Sequence, residues 1–322
     1  MPSMGRLYPS IVPENEGEVA TVIIDASALR GRTEPITPIC VVGSGPAGLS
    51  VATAARDGGV PVLLLEAGEE NSDSPDPGSA NARGGLPYGP LAEMRSTRLG
   101  GSSWLWGRGF GAWTEGRAQL RPLNPADLAW HDGLAGGWPI RFEDLAAEYE
   151  AELRGLGLGH HAYAFDAPNG GTIDTSAPSQ ELWPLESVPG FAPTLFHYVH
   201  QDDYRQTTLK PLLEDGATYV ATHVRVVDIQ LDNTGHRVAQ LLCHGPDNGW
   251  FDLPVRDVVL ATGGIENARL LLELESSLGE QLHRFPPGEC FMDHPQGIGA
   301  TWVPPKPLRA SQVDYLGLHE TD

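Results

Sequence analysis

Apolar and polar positions follow three rhythms along this chain, and each predicts a different kind of element. Continuous apolar runs at Ile39, Cys40, Val41 and Val42 and again at Val62 to Leu65 read as buried parallel strands. A small-residue helix lies between them. A 3.6-residue rhythm over 141–156 predicts a second helix, with Leu145, Tyr149, Leu153 and Leu156 on one face and acids on the other. From Thr218 the pattern is strand-like. Thr218 to Leu231 predicts one long strand, Asp232-Asn233-Thr234-Gly235 a turn, and Arg237 to Cys243 its partner. Pro246-Asp247-Asn248-Gly249 then turns into Trp250 to Val255. This three-stranded meander feeds an apolar strand at Asp257 to Ala261, after which Thr262-Gly263-Gly264 opens a helix over Ile265 to Leu274. Val22 to Ile24 reads as a short edge strand behind a loosely ordered lead-in. Residues 69–90, rich in Gly, Pro, Asp, Ser and Asn, predict a long surface excursion, and 157–206 read as irregular.

The first candidate chemistry sits where the first strand meets its helix. Gly43, Gly45 and Gly48 form a G-x-G-x-x-G pattern, and the second strand ends in Glu66. Gly43 permits a tight turn and Gly45 lets backbone approach a pyrophosphate. Gly48, helped by Ala47 and Ala52, lets the helix pack close to the sheet. The helix N-terminus then offers unpaired N–H groups and a positive dipole end to the phosphates. An acid at Glu66 accepts hydrogen bonds from the adenosine-ribose hydroxyls and repels a 2′-phosphate, which disfavours NADP. The turn at Gly263 and Gly264 repeats the same strand, glycine turn, helix arrangement.

Composition narrows the class. Forty per cent apolar and 20% charged residues fit a globular chain of 322 residues, long enough for about two domains. A net charge of −21 leaves no basic stripe to neutralise phosphates, so no nucleic-acid partner is expected. No apolar run is long enough for a membrane span. The first residues lack the features of an export signal, so the expected compartment is cytoplasmic. Cys40, Cys243 and Cys290 are widely spaced on or beside apolar runs and read as small buried hydrophobes. No C-x-x-C and no H-x-x-x-H occurs, so neither a redox pair nor a metal site is expected. The missing C-x-x-C, with no second G-x-G-x-x-G for a nicotinamide, also argues against a disulfide reductase or a monooxygenase.

Four segments together resemble the glucose-methanol-choline family of FAD-dependent oxidoreductases. They are GSGPAGLS with Leu65-Glu66-Ala67-Gly68, Arg98-Leu99-Gly100-Gly101-Ser102-Ser103, VVLATGGIENARLLL over 258–272, and FMDHPQG over 291–297. Trp104 and Trp106, Pro122-Leu123-Asn124 and Gly137-Trp138-Pro139-Ile140 bring the chain nearest to the bacterial sugar and polyol dehydrogenase branch. The resemblance implies an α/β fold: a Rossmann-like FAD-binding domain, with a parallel sheet and a three-stranded β-meander, and a partial α+β substrate domain. The FAD domain would take 20–120 and 207–296. The incomplete substrate or cap region would take 121–206 and 297–322, after a lead-in over 1–19. Residue by residue, the family's FAD contacts would fall on Gly43, Gly45, Pro46, Ala47, Gly48, Glu66 and Ala67. Others would fall on Arg98, Gly100, Gly101, Ser102 and Ser103, on Val224 through its backbone at the adenine, and on Ala261, Gly263 and Gly264. Some relatives attach FAD through a histidine just after the Gly-Gly loop. Leu105 stands at that place here, so non-covalent FAD is expected.

The implied activity is oxidation of CH–OH groups of sugars, polyols or other alcohols, with hydride passing to the flavin and electrons to an acceptor that the sequence does not name. Family members continue for about 150–250 further residues, in keeping with ordinary domain sizes. That part carries the active-site histidine, so no catalytic residue is assigned here. His294 reads as a domain-junction residue, and His131, His160, His161, His197 and His200 as surface or packing residues. Trp104, Trp106 and Trp113 read as core or flavin-shielding. The alternative is a non-catalytic FAD-binding remnant, or one half of a split enzyme.

Overall fold

A computed structural model of the chain describes residues 23–71, 91–107, 116–120, 123, 128, 138, 140–155, 197–247, 249–278, 287–289 and 291. In chain order the elements are β1 (Ile23–Ile24), β2 (Ile39–Val42), α1 (Pro46–Asp57), β3 (Val62–Leu65) and α2 (Leu91–Met94). Then come β4 (Arg117–Leu120), α3 (Phe142–Gly155), β5 (His197–His200), α4 (Gln201–Tyr204), a π-helical turn (Arg205–Leu209) and α5 (Lys210–Glu214). The last are β6 (Thr218–Ala221), β7 (Arg225–Leu231), β8 (Val238–His244), β9 (Trp250–Pro254), β10 (Asp257–Leu260) and α6 (Gly264–Leu278). Two compact units divide the chain: Met1–Leu105 with Tyr204–Phe291, and Trp106–Asp203 with Met292–Asp322.

The fold is α/β. In the first unit a five-stranded sheet runs in the order β1-β6-β3-β2-β10, every pair parallel. Its central strand β3 is buried at all four residues, as an unbroken apolar run requires when both faces are covered. The two faces can be told apart by their partners. Cys40, Val42, Leu63 and Leu65 share one core with Val226, Ile229, Leu241, Phe251 and Leu253 of the antiparallel sheet β7-β8-β9, and with Leu270 and Leu274 of α6. Val41, Val62 and Leu64 are equally buried and, by the two-residue period of a strand, point to the other face, where α1 packs with Leu49 and Ala52 fully buried. Meander, parallel sheet and α1 therefore form three layers around two apolar seams.

Two expectations are corrected here. The stretch 218–231 is two strands, because His223 adopts φ 59 and bends the chain between β6 and β7. Its N–H donates to Gly68 O and that of Val224 to Glu66 O, both at 2.9 Å, so the bend is held by the chain leaving β3. The irregular region also contains structure. Gln201–Glu214 is helical, with Pro211 at the second position of α5, directly behind the π-helical turn that accommodates it. In the second unit β5 pairs antiparallel with β4, placing Arg117 opposite His200 and Leu120 opposite His197. There too lies α3, whose buried Phe142 stacks on Tyr149 at 6.2 Å between ring centres. Cys40 and Cys243 are buried free thiols as expected; burial pushes the Cys40 thiol far above its ordinary value and the Cys243 thiol up to about 12. Cys290, Trp113, Asn124, Gly137, His131, His160, His161 and His294 lie outside the described residues.

Candidate cofactor site

Three loops of the first unit meet at the N-terminus of α1. The turn after β2 supplies Gly43, Ser44 and Gly45, the chain after β3 supplies Glu66 to Gly68, and the third loop is Arg98 to Ser103. Gly48 shows how tightly the first turn is wound: a Cβ there would lie 1.9 Å from Gly43 O. Gly101, at φ +55, lets the third loop touch the first, since its Cβ would fall 2.7 Å from Gly45 Cα. Leu99 N–H donates to Glu69 O at 2.9 Å, which ties the third loop to the chain leaving β3 as well.

Helix α1 begins after Gly45, whose missing side chain provides no cap, and Pro46 occupies the first turn. The first internal bond runs from Leu49 N–H to Gly45 O at 3.0 Å. By helix geometry the N–H groups of Ala47 and Gly48 have no partner inside the helix, and with the dipole they favour an anion. The space beside them is open, for a Cβ on Gly45 would meet nothing within 4 Å.

Glu66 is the buried acid of the site, 6% exposed. Its Oε2 accepts from both the N–H and the hydroxyl of Ser44, and its Oε1 accepts from Gly68 N–H at 2.8 Å. Burial pushes its carboxyl above the ordinary range, against the pull of the Ser44 and Gly68 bonds. Fully buried Ser44 also accepts from Gly100 N–H at 3.1 Å. Ser103 is equally buried and donates to Gly100 O at 2.8 Å, an inward contact that stiffens the loop, whereas Ser102 is exposed.

The second glycine turn lies beside the first because β10 pairs with β2. Ala261 N–H donates to Val42 O at 2.8 Å, and Ala261 Cβ comes within 3.4 Å of the place a Cβ on Gly48 would take. Asn267 holds this turn from inside α6. Its Oδ1 accepts from Thr262 N–H at 3.0 Å and from Thr262 Oγ1 at 2.6 Å, and its Nδ2 donates to Leu260 O at 3.2 Å. Around Gly263 and Gly264 a Cβ would meet nothing within 4 Å, so backbone faces open space here too. Glu266, in the first turn of α6, bonds Arg95 at 3.0 Å and Arg269 at 2.8 Å, while Arg269 reaches the carbonyls of Val226 and Val227.

Of the residues singled out in the sequence, Gly43, Gly45, Pro46, Ala47, Gly48, Glu66, Ala67, Gly100, Gly101 and Ala261 come together around this helix end. Val224 is near by chain path, but its N–H is spent on Glu66 O, so a backbone contact to an adenine would have to use the carbonyl. Arg98 stacks its guanidinium on Trp104 at 3.5 Å from the ring centre, and Arg205 stacks on the same ring at 3.4 Å. Both faces of Trp104 are thereby covered, which leaves neither for a sugar or a flavin. Ser44, Arg205 and Asn267 were not legible beforehand. Ser44 filled a variable position of the glycine pattern, and Arg205 lies in a stretch without periodicity.

These residues fit the ADP part of a dinucleotide. Open space at Gly45 beside unpaired helix amides suits a pyrophosphate, and a buried, oriented carboxylate suits a ribose. No family model matches the chain, and no curated protein matches it in sequence. Among solved structures it is similar to a new fungal aryl-alcohol oxidase, at 14% identity over 73% of this chain and 47% of that one, with a TM-score of 0.45. It is also similar to pyridoxine 4-oxidase from Mesorbium loti, at 20% identity over 73% and 51%, TM-score 0.43. A formate oxidase of Aspergillus oryzae, solved in a study of its FAD modification, matches at 17% identity over 75% and 48%, TM-score 0.42. The chain spans about half the length of each of these. Among the described residues no helix is long and apolar enough to cross a membrane.

Proposed function

We propose that this chain binds FAD non-covalently and forms the cofactor-holding part of an oxidoreductase of the glucose-methanol-choline type, acting on CH–OH groups of sugars, polyols or other alcohols. The observation that carries this reading is the meeting of three loops on an open, uncapped helix N-terminus next to a buried carboxylate. Ala47 and Gly48 would hold the pyrophosphate through their amides, and Gly45 would give it room. Glu66 would accept from the adenosine ribose, and its charge would turn away a 2′-phosphate. Gly263 and Gly264 would approach the cofactor from the neighbouring strand end. Bound FAD supplies the acceptor for the hydrogen that leaves the alcohol carbon as hydride. Leu105 offers no nucleophile, which supports non-covalent attachment. The test is the visible absorbance of purified protein incubated with FAD and desalted, followed by acid precipitation. Yellow protein that releases its colour to the supernatant is expected. Colourless protein refutes FAD binding, and colour that stays with the pellet refutes the non-covalent reading.

A further inference from the structure

Ser44 occupies the variable position inside the first glycine turn and is fully buried. Its hydroxyl has two partners, and chemistry fixes their order. An amide can only donate, so the Ser44 oxygen accepts from Gly100 N–H at 3.1 Å and its own proton goes to Glu66 Oε2. Ser44 N–H reaches the same Oε2 at 3.2 Å. A carboxylate offers about four acceptor positions, two on each oxygen. Ser44 takes those of Oε2, while Oε1 accepts from Gly68 N–H and the Ala67 N–H also bonds the carboxyl, so Oε1 is the oxygen that Ser44 leaves to other donors.

We infer that Ser44 is a positioning residue for adenosine recognition: by holding Oε2 of Glu66 it presents Oε1 to a ribose hydroxyl, and with the same hydroxyl group it anchors the Gly100 loop beside the pyrophosphate place. The inference rests on the reading that this site holds the ADP part of FAD. It differs from a packing role in a measurable way. A serine that merely stabilises the turn would affect every ligand of the site equally, whereas one that acts through Glu66 affects only ligands that carry ribose hydroxyls.

The test measures the full-length chain's affinity for ADP and for 2′,3′-dideoxy-ADP by calorimetry. Wild type should bind ADP about tenfold or more tightly than the dideoxy compound, the worth of a hydrogen bond to a charged group. In Ser44→Ala that ratio should collapse to about twofold or less, and Glu66→Gln should collapse it as far, with the double variant no lower. Each ratio is taken within one protein, so lost folded material does not alter it. Should Ser44→Ala fail to fold, Ser44→Cys, a weaker donor, should give an intermediate ratio. A wild-type ratio retained in Ser44→Ala or Ser44→Cys, with both ligands weakened alike, overturns the positioning role and leaves FAD binding standing. Wild type that binds neither ADP nor FAD overturns the cofactor reading itself.

Discussion

Two alanine substitutions at glycines three residues apart should have opposite consequences. In Gly48→Ala the new methyl would start 1.9 Å from Gly43 O, where ordinary contact between such atoms is about 3.5 Å. Both parties are backbone, so no side chain can swing away, and α1 must retreat from the β2 turn by about 1.5 Å. Overpacking of that kind costs about 3 kcal/mol. At roughly 2–3 °C per kcal/mol for a chain of this size, the unfolding temperature should fall by about 6–9 °C. In Gly45→Ala the methyl meets nothing within 4 Å and the backbone, at φ −65 and ψ 178, is one that alanine adopts freely. Its unfolding temperature should stay within about 2 °C of wild type, since the lost cap preference costs only a fraction of a kcal/mol. The same methyl would occupy the space proposed for the pyrophosphate, so FAD affinity should fall tenfold or more, a loss of about 1.4 kcal/mol. Circular dichroism melts of the cofactor-free proteins and FAD titrations followed by flavin fluorescence read both effects. A Gly48→Ala melt indistinguishable from wild type would refute the close approach of α1 to the turn. Unchanged FAD affinity in Gly45→Ala would refute phosphate binding at this helix end.

Other outcomes follow from the ties around α6. Burial acts to raise the Glu266 carboxyl, but the bonds from Arg269 and Arg95 outweigh it and hold the group below its ordinary value. Its stabilising contribution is therefore complete above the unfolded value of about 4.3 and is lost as pH falls through the lower folded value. Glu266→Gln should cost about 1–2 kcal/mol at neutral pH in urea unfolding, and the gap to wild type should narrow toward about pH 3; an equal gap at both pH values refutes the ion-pair account. Asn267→Ala removes the acceptor of Thr262 and the donor to Leu260. It should lower stability by about 1–3 kcal/mol and weaken FAD at the second turn, and a melt and an affinity both like wild type would count against the clamp.

Much of the first unit could be read from residues alone, for identifiable reasons. Ile39–Val42 and Val62–Leu65 are apolar without interruption because sheet neighbours and layers enclose them, and the meander strands sit close to their expected places because loops with Gly235 and Gly249 punctuate them. What stayed hidden depended on contacts distant in sequence or on backbone that carries no residue signature. His223 takes a left-handed conformation usually given to glycine, so nothing in Thr222-His223-Val224 announced that one strand was two. Strands β4 and β5 are four residues each and pair across about 80 residues, too short and too far apart for a local pattern. Helix Gln201–Glu214 was masked by Thr207, Thr208 and Pro211, poor helix formers accommodated by the π-turn and the start of α5. In the site, the glycines and Glu66 were legible as types, but the orientation of Glu66 was not, since a serine at a variable position sets it.

The sheet order has a cost that falls on the ribosome. Strands β2 and β3 pair with each other early, yet their outer neighbours, β10 and β6, are synthesised much later: Ile39 meets Asp257 and Val62 meets Thr218. Between the end of β3 and the end of β10 about 195 residues must emerge, roughly 10–40 s at ordinary rates of translation. Until β6 emerges a nascent β2-β3 pair, apolar on both faces, has two open edges, and the β2 edge stays open until β10 follows. Such a pair is a substrate for holding chaperones and a seed for edge-to-edge association, so the yield of soluble protein will be set by elongation speed and chaperone supply as much as by final stability.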